Sequence, residues 1–215
     1  MLYCYTAEKG ELYELSLIGI VIAQQNPISM PNTKTPAAKK TAGKKANRTP
    51  QQEGALMELF TNSLKDINWA EKQLVKALKK MAKAASSGEV SKAFEDHMAQ
   101  TEGHVERLVQ VFESVGKKPT SKKCAAMEGL IKEAEELIEE TEEGTEVRDV
   151  ALIAAAQKVE HYEIATYGTL ATLAGTLGLT DAQKILNQTL EEEKQTDALL
   201  TEIAVDYVNE EAASE

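Results

Sequence analysis

Cysteine is almost missing from this chain: Cys4 and Cys124 stand in unlike contexts. That excludes a disulfide framework and a thiolate metal site, and makes a reducing cytoplasm the expected setting. Aromatic residues are only 5% of the chain, so a core must come from Leu, Ile, Val, Ala and Met. Proline and glycine are scarce after residue 50, where Ala, Glu, Lys and Leu dominate; this is the composition of long packed helices rather than of sheets. No apolar run is long enough to cross a membrane. Leu15 to Ala23 has the length of a signal-peptide core, but Glu8, Glu11 and Glu14 precede it against one Lys9, the wrong sign for secretion. A plainer alternative is that Met30 is the natural start and residues 1–29 are an upstream extension.

Basic charge is also short, and unevenly placed. Residues 1–49 hold seven of the 24 basic and three of the 35 acidic residues, leaving 17 and 32 for the remainder. The folded part is thus strongly acidic, a surface that repels nucleic acid and anionic membranes and attracts cations. The exception is the arm 31–51, with Lys34, Lys39, Lys40, Lys44, Lys45 and Arg48 among Ala, Thr and Pro. It reads as a disordered tail that either lies along phosphates through charge or only solubilises.

What is present is helical periodicity interrupted by acid. The stretch 147–177 carries the inner stripe Ile153, Ala156, Glu160, Glu163, Tyr167, Leu170, Ala174 and Leu177. The stretch 52–84 carries Phe60, Leu64, Ile67, Glu71, Leu74, Leu78 and Met81. An ionised carboxylate in a dry interior costs several kcal/mol even after relaxation, and protonation, a basic partner or a cation offsets it. No Lys or Arg occupies these stripes, so a shared cation is the leading explanation.

In chain order, the first helix is expected over about 52–85, and Ser86 with Glu89 reads as a capping box for the second, which ends near Gly116. A connection of some thirty residues follows, with an amphipathic helix near Ala125 to Glu140. Thr145 caps the third bundle helix and Gly178 closes it. Thr180 with Gln183 reads as a capping box for the last helix, which runs to about Asn209, and residues 210–215 are expected to fray. The domain is therefore 52–209, an all-α, ferritin-like four-helix bundle with a long helical crossover between bundle helices two and three.

Ferritin-like dimetal sites take one Glu from each of two helices and a Glu-x-x-His pair from each of the other two. Glu71 and Glu160 fit the single positions. The second helix departs from the pattern: its stripe is Phe94, His97, Thr101, His104, Leu108, Val111, Val115, with Thr101 where the acid of Glu-x-x-His would stand. His97 and His104 are two turns apart, about 10 Å of helix rise, too far for one ion in a regular helix. Each is either a neutral ligand or a hydrogen-bonded core residue, and His97 is preferred as ligand. On the last helix, the stripe Ile185, Thr189, Glu192, Thr196, Leu199, Ile203 turns Glu192 inward, whereas Leu186, Leu190, Glu193, Asp197, Leu200 turns Glu193 inward. Glu192 is favoured. Gln195 stands where its histidine would be, and Glu163 is available to supply an oxygen. The ligand set is thus Glu71, His97, Glu160, Glu163 and Glu192, an oxygen-rich shell suited to two divalent ions of iron or manganese.

The runs LKDINWAEKQLVKAL (64–78), TEGHVERLVQVFESVGKKP (101–119), CAAMEGLIKEAEELIEETEE (124–143), VRDVALIAAAQKVEHYEIATYGTLATLA (147–174) and TLEEEKQTDALLTEIA (189–204) resemble the YciE/YciF family of bacterial ferritin-like proteins over about Leu56 to Val208. The resemblance implies a compact helical bundle, a homodimer, a dimetal site and a link to stress response, with no established reaction. Asp66 and His161 lie in its runs as reserve ligands. Two functions follow: a cytoplasmic dimetal protein with peroxide or redox activity, or a non-catalytic dimeric stress protein acting through surface contacts. Storage in a hollow shell ranks below both, because no cage interface is visible. Whether the chain is an enzyme is left open.

Overall fold

The computed structural model describes residues 50–215, with side chains from Gly54 onward. Expectations for residues 1–49, including the upstream extension and the phosphate contact of the Lys-rich arm, lie outside the described residues. Every described element is helical: α1 Pro50–Ala84, α2 Gly88–Ser114, α3 Ala125–Glu140, α4 Glu146–Leu177 and α5 Thr180–Ile203, then a π-helical turn Ala204–Val208 and a short α6, Asn209–Ala212. No helix among the described residues is long and apolar enough to cross a membrane.

The heptad stripes explain the packing. Each of α1, α2, α4 and α5 buries one stripe against the others, α1 pairing with α2 and α4 with α5, and the α2–α5 and α1–α4 contacts close the four-helix bundle. The crossover helix α3 lies outside, against α1 and α4. That is why α4 also buries Leu152, Ala155 and Val159, which are off its inner stripe. The crossover is strapped down by polar contacts. Asn68 Nδ2 donates to the Thr120 carbonyl at 2.9 Å and to Ser121 Oγ at 3.0 Å. Arg148 donates to the Ile138 carbonyl at 3.0 Å and also to that of Thr141, satisfying the open end of α3.

Helix ends follow the sequence signals in part. Thr145 accepts from the Arg148 amide at 3.3 Å, and Gly178 takes the left-handed conformation (φ 76°) that closes α4. Two signals shift. Ser87, not Ser86, caps α2, accepting from the Glu89 amide at 3.2 Å. The reason is that Ser86 is spent elsewhere: its hydroxyl donates to the Thr145 carbonyl at 2.9 Å, and the Asp149 carboxylate accepts both Ser86 and Ser87 amides at 2.8 and 2.7 Å. The Thr180 box does not form, because Leu179 is the capping position and makes no side-chain bond. The stretch expected to fray is helical to Ala212. The Glu215 carboxylate accepts from the Glu146 amide at 3.0 Å, where the N-terminus of α4 favours an anion.

Candidate metal centre

Halfway along the bundle the aliphatic layers give way to Glu71 from α1, His97, Thr101 and His104 from α2, Glu160, Glu163 and Tyr167 from α4, and Glu193 from α5. None of them is more than 3% exposed. Two overlapping donor sets result. One donor atom from each of His97, Glu160, Glu163 and Glu193 lies within 4.8 Å of the others, and the same holds for Glu71, His104 and Glu193. Glu193 belongs to both.

The two histidines present opposite faces to the cluster. His97 Nε2 lies 3.0 Å from Glu160 Oε1, while its Nδ1 is 3.4 Å from Thr196 Oγ1. His104 turns Nδ1 inward, 3.0 Å from Glu193 Oε1 and 3.7 Å from Glu71 Oε1, and its Nε2 meets Glu192 Oε2 at 3.0 Å. In a neutral imidazole, the charged acceptor at Nε2 would hold the proton there and free the Nδ1 lone pair for a cation. Tyr167 donates its hydroxyl to Glu71 Oε1 and meets the His104 ring edge-on at 6.4 Å.

Beyond the two histidine–carboxylate contacts at 3.0 Å, five inward carboxylate oxygens have no hydrogen-bond partner: Glu71 Oε2, Glu160 Oε2, both oxygens of Glu163, and Glu193 Oε2. Such orphans are rare in folded proteins and need an explanation. Without a cation the cluster recruits protons. Burial and the charges of Glu71, Glu193 and Glu160 push Glu163 well above the usual carboxylate range. Burial raises Glu193 to about 7 despite the opposing hydrogen bond to His104. Burial alone would lower both histidines, but the neighbouring carboxylates win: Glu160 raises His97, and Glu193 with Glu71 raises His104 to about 10.

The structure brings together Glu71, His97, Glu160 and Glu163 of the sequence-level set. Glu192 is a correction: it sits at the edge, where Arg107 Nη2 donates to its Oε2 at 2.6 Å, and Glu193 takes the interior place. The buried stripe of α5 is Ala182, Leu186, Thr189, Glu193, Thr196, Leu200 and Ile203, a 4-3 alternation that borrows from both candidate stripes. Arg107, unnoticed in the sequence, pulls Glu192 outward and holds its carboxyl below the usual range against the effect of burial. His104 joins the cluster. Asp66 and His161 do not: Asp66 pairs with Lys122 at 3.3 Å, and the exposed His161 with Asp197 at 3.3 Å.

Four glutamates and two histidines are the inventory of a ferritin-like dimetal site. Their distribution differs. Both histidines come from α2, and α4 supplies a second acid, Glu163, where α2 has Thr101.

The family model described as Domain of unknown function (DUF892) matches residues 55–213. Protein YciF of Escherichia coli (strain K12) is 56% identical over 156 residues, 72% of this chain and 93% of that protein. The crystal structure of the E. coli stress protein YciF matches with a TM-score of 0.69, covering 72% of this chain and 97% of that one. The structure of YcfI from Rhodopseudomonas palustris, 40% identical, matches with a TM-score of 0.67 over 72% and 98% of the two chains.

Proposed function

The chain belongs to the family described as Domain of unknown function (DUF892), and from that premise we propose that it is a cytoplasmic dimetal-carboxylate protein of the bacterial stress response. The stress role comes from its relative, which is named a stress protein. The observation that carries the metal reading is the gathering of four buried carboxylates and two histidines in two overlapping groups, with five of the carboxylate oxygens lacking any hydrogen-bond partner. The donor set fits two divalent cations in charge as well as number: four carboxylates with two neutral imidazoles are cancelled by two double charges. Oxygen donors outnumber nitrogens, which suits manganese and iron better than copper.

Glu71, His104 and Glu193 would hold one ion, and His97, Glu160, Glu163 and Glu193 the other. Bound iron or manganese would supply redox chemistry toward peroxide or dioxygen. The protein's own contribution is orientation and dryness. Tyr167 fixes the Glu71 carboxylate, Arg107 and Glu192 fix the His104 tautomer, and Ile67, Leu74, Leu108 and Leu170 keep bulk water out. Peroxide consumption by purified, metal-loaded protein tests the activity: turnover supports it, and inertness toward both peroxide and dioxygen removes it. A homodimer, implied by the family resemblance, is part of this reading; light scattering at the mass of a monomer would remove it.

A further inference from the structure

The four glutamates of the centre have no exposed surface, so an ion must find a way in, and the two sides of the centre differ in what they offer. On the His104 side, Arg107 is clamped to Glu192 at 2.6 Å and donates to Thr189 Oγ1 at 3.0 Å, closing that flank. On the His97 side, α2 and α5 part to leave a cleft of about 250 Å³. His97 and Thr196 form its inner end, with Ala93, Asp96, Gln100 and Leu199 around it. Asp96, Gln100 and Leu199 are exposed, and His97 is buried with its Nε2 turned inward to Glu160, whose Oε2 has no partner.

We propose that this cleft is the port through which a divalent cation reaches the His97 position, an inference that rests on the dimetal reading. A polar path leads inward: Gln100 Oε1 is 3.4 Å from Thr196 Oγ1, which is 3.4 Å from His97 Nδ1, and His97 Nε2 is 3.0 Å from Glu160 Oε1. The amide oxygen of Gln100 and the hydroxyl of Thr196 are hard oxygen donors that can replace an ion's water stepwise, with the Asp96 carboxylate at the rim held by the exposed Lys92 at 2.6 Å. A cleft of this size admits several waters, enough for an ion with part of its hydration shell. The His97 position then exchanges with solvent directly, and the His104 position fills through it.

The test is the rate at which full-length, metal-free protein takes up cobalt(II), followed by the ligand-field absorbance in stopped flow. Ala93→Trp and Leu199→Trp plug the cleft from exposed or half-buried positions, and Leu199→Ala widens it. Ala165→Trp, on the outer side of α4, is the control. The plugs are expected to slow uptake about tenfold, since entry then needs local opening. They still reach two equivalents, Leu199→Ala quickens uptake, and the control matches wild type. Plugged and widened variants that fill at the wild-type rate with full stoichiometry would overturn the port alone. A wild-type chain that takes up no stoichiometric cobalt would overturn the dimetal reading and the port with it.

Discussion

The middle layer of the bundle and the layers on either side are equally dry but held by different means. On α1, Phe60, Leu64 and Ile67 lie to one side of Glu71 and Leu74, Leu78 and Met81 to the other, all of them buried. The flanking layers are satisfied by packing. The middle one is not, because its carboxylates repel one another and five of their eight oxygens lack a donor. The difference teaches that folding is the work of the outer layers, while the middle layer is tolerated at a cost in stability for what it binds.

That contrast can be broken most sharply by exchanging the two kinds of residue. Leu78→Ala should lower unfolding free energy by about 2–5 kcal/mol, equally with and without metal. Glu163→Met should raise the stability of the metal-free chain by roughly 1 kcal/mol or more, because it removes a buried acid with no partner. Urea unfolding of metal-free protein reads both; a destabilised Glu163→Met would mean that the middle layer is held by its own polar contacts.

A smaller effect sharpens the distinction between ligand and support. Glu192→Gln keeps the acceptor at His104 Nε2 but removes its charge, so affinity for one ion should fall about tenfold with stoichiometry intact. Competition with a chelator measures it. Loss of a full equivalent would return Glu192 to the ligands.

The weakest handle is pH. Folded Glu193 binds its proton up to about 7 and unfolded Glu only to about 4.5, so metal-free stability falls as pH rises through that window. His104, raised to about 10, contributes stability that is full below about 6.5 and is lost as pH climbs toward 10. Both act in one direction: the urea midpoint of metal-free protein should decline from pH 5 to 9. Metal-loaded protein should show a flatter or reversed trend, because the ions replace those protons. A midpoint that rises in the metal-free chain would contradict the proton-loaded cluster.

How far the sequence could be read depended on what flanked each acid. Glu71 and Glu160 sit in stripes with one clear phase, so their inward placement was legible, as were the crossover helix, the Thr145 cap and the Gly178 stop. On α5, Ile185 and Leu199 are as apolar as Leu186 and Leu200, so hydrophobicity could not choose between Glu192 and Glu193. The choice is made by Arg107 on α2, a partner 85 residues away in sequence that no local pattern reveals. The Ser86 and Thr180 signals failed because tertiary contacts to Thr145 and Asp149 engage Ser86, and Thr180 is already the first residue of α5, capped by Leu179 without a side-chain bond.

The central claim is that the buried acids exist to hold ions, and elemental analysis of purified wild type beside Glu71→Ala and Glu160→Ala addresses it most directly. The account predicts two equivalents of iron or manganese in wild type and loss of metal in both variants, with helical content unchanged by circular dichroism. Equal metal content in all three proteins would contradict it.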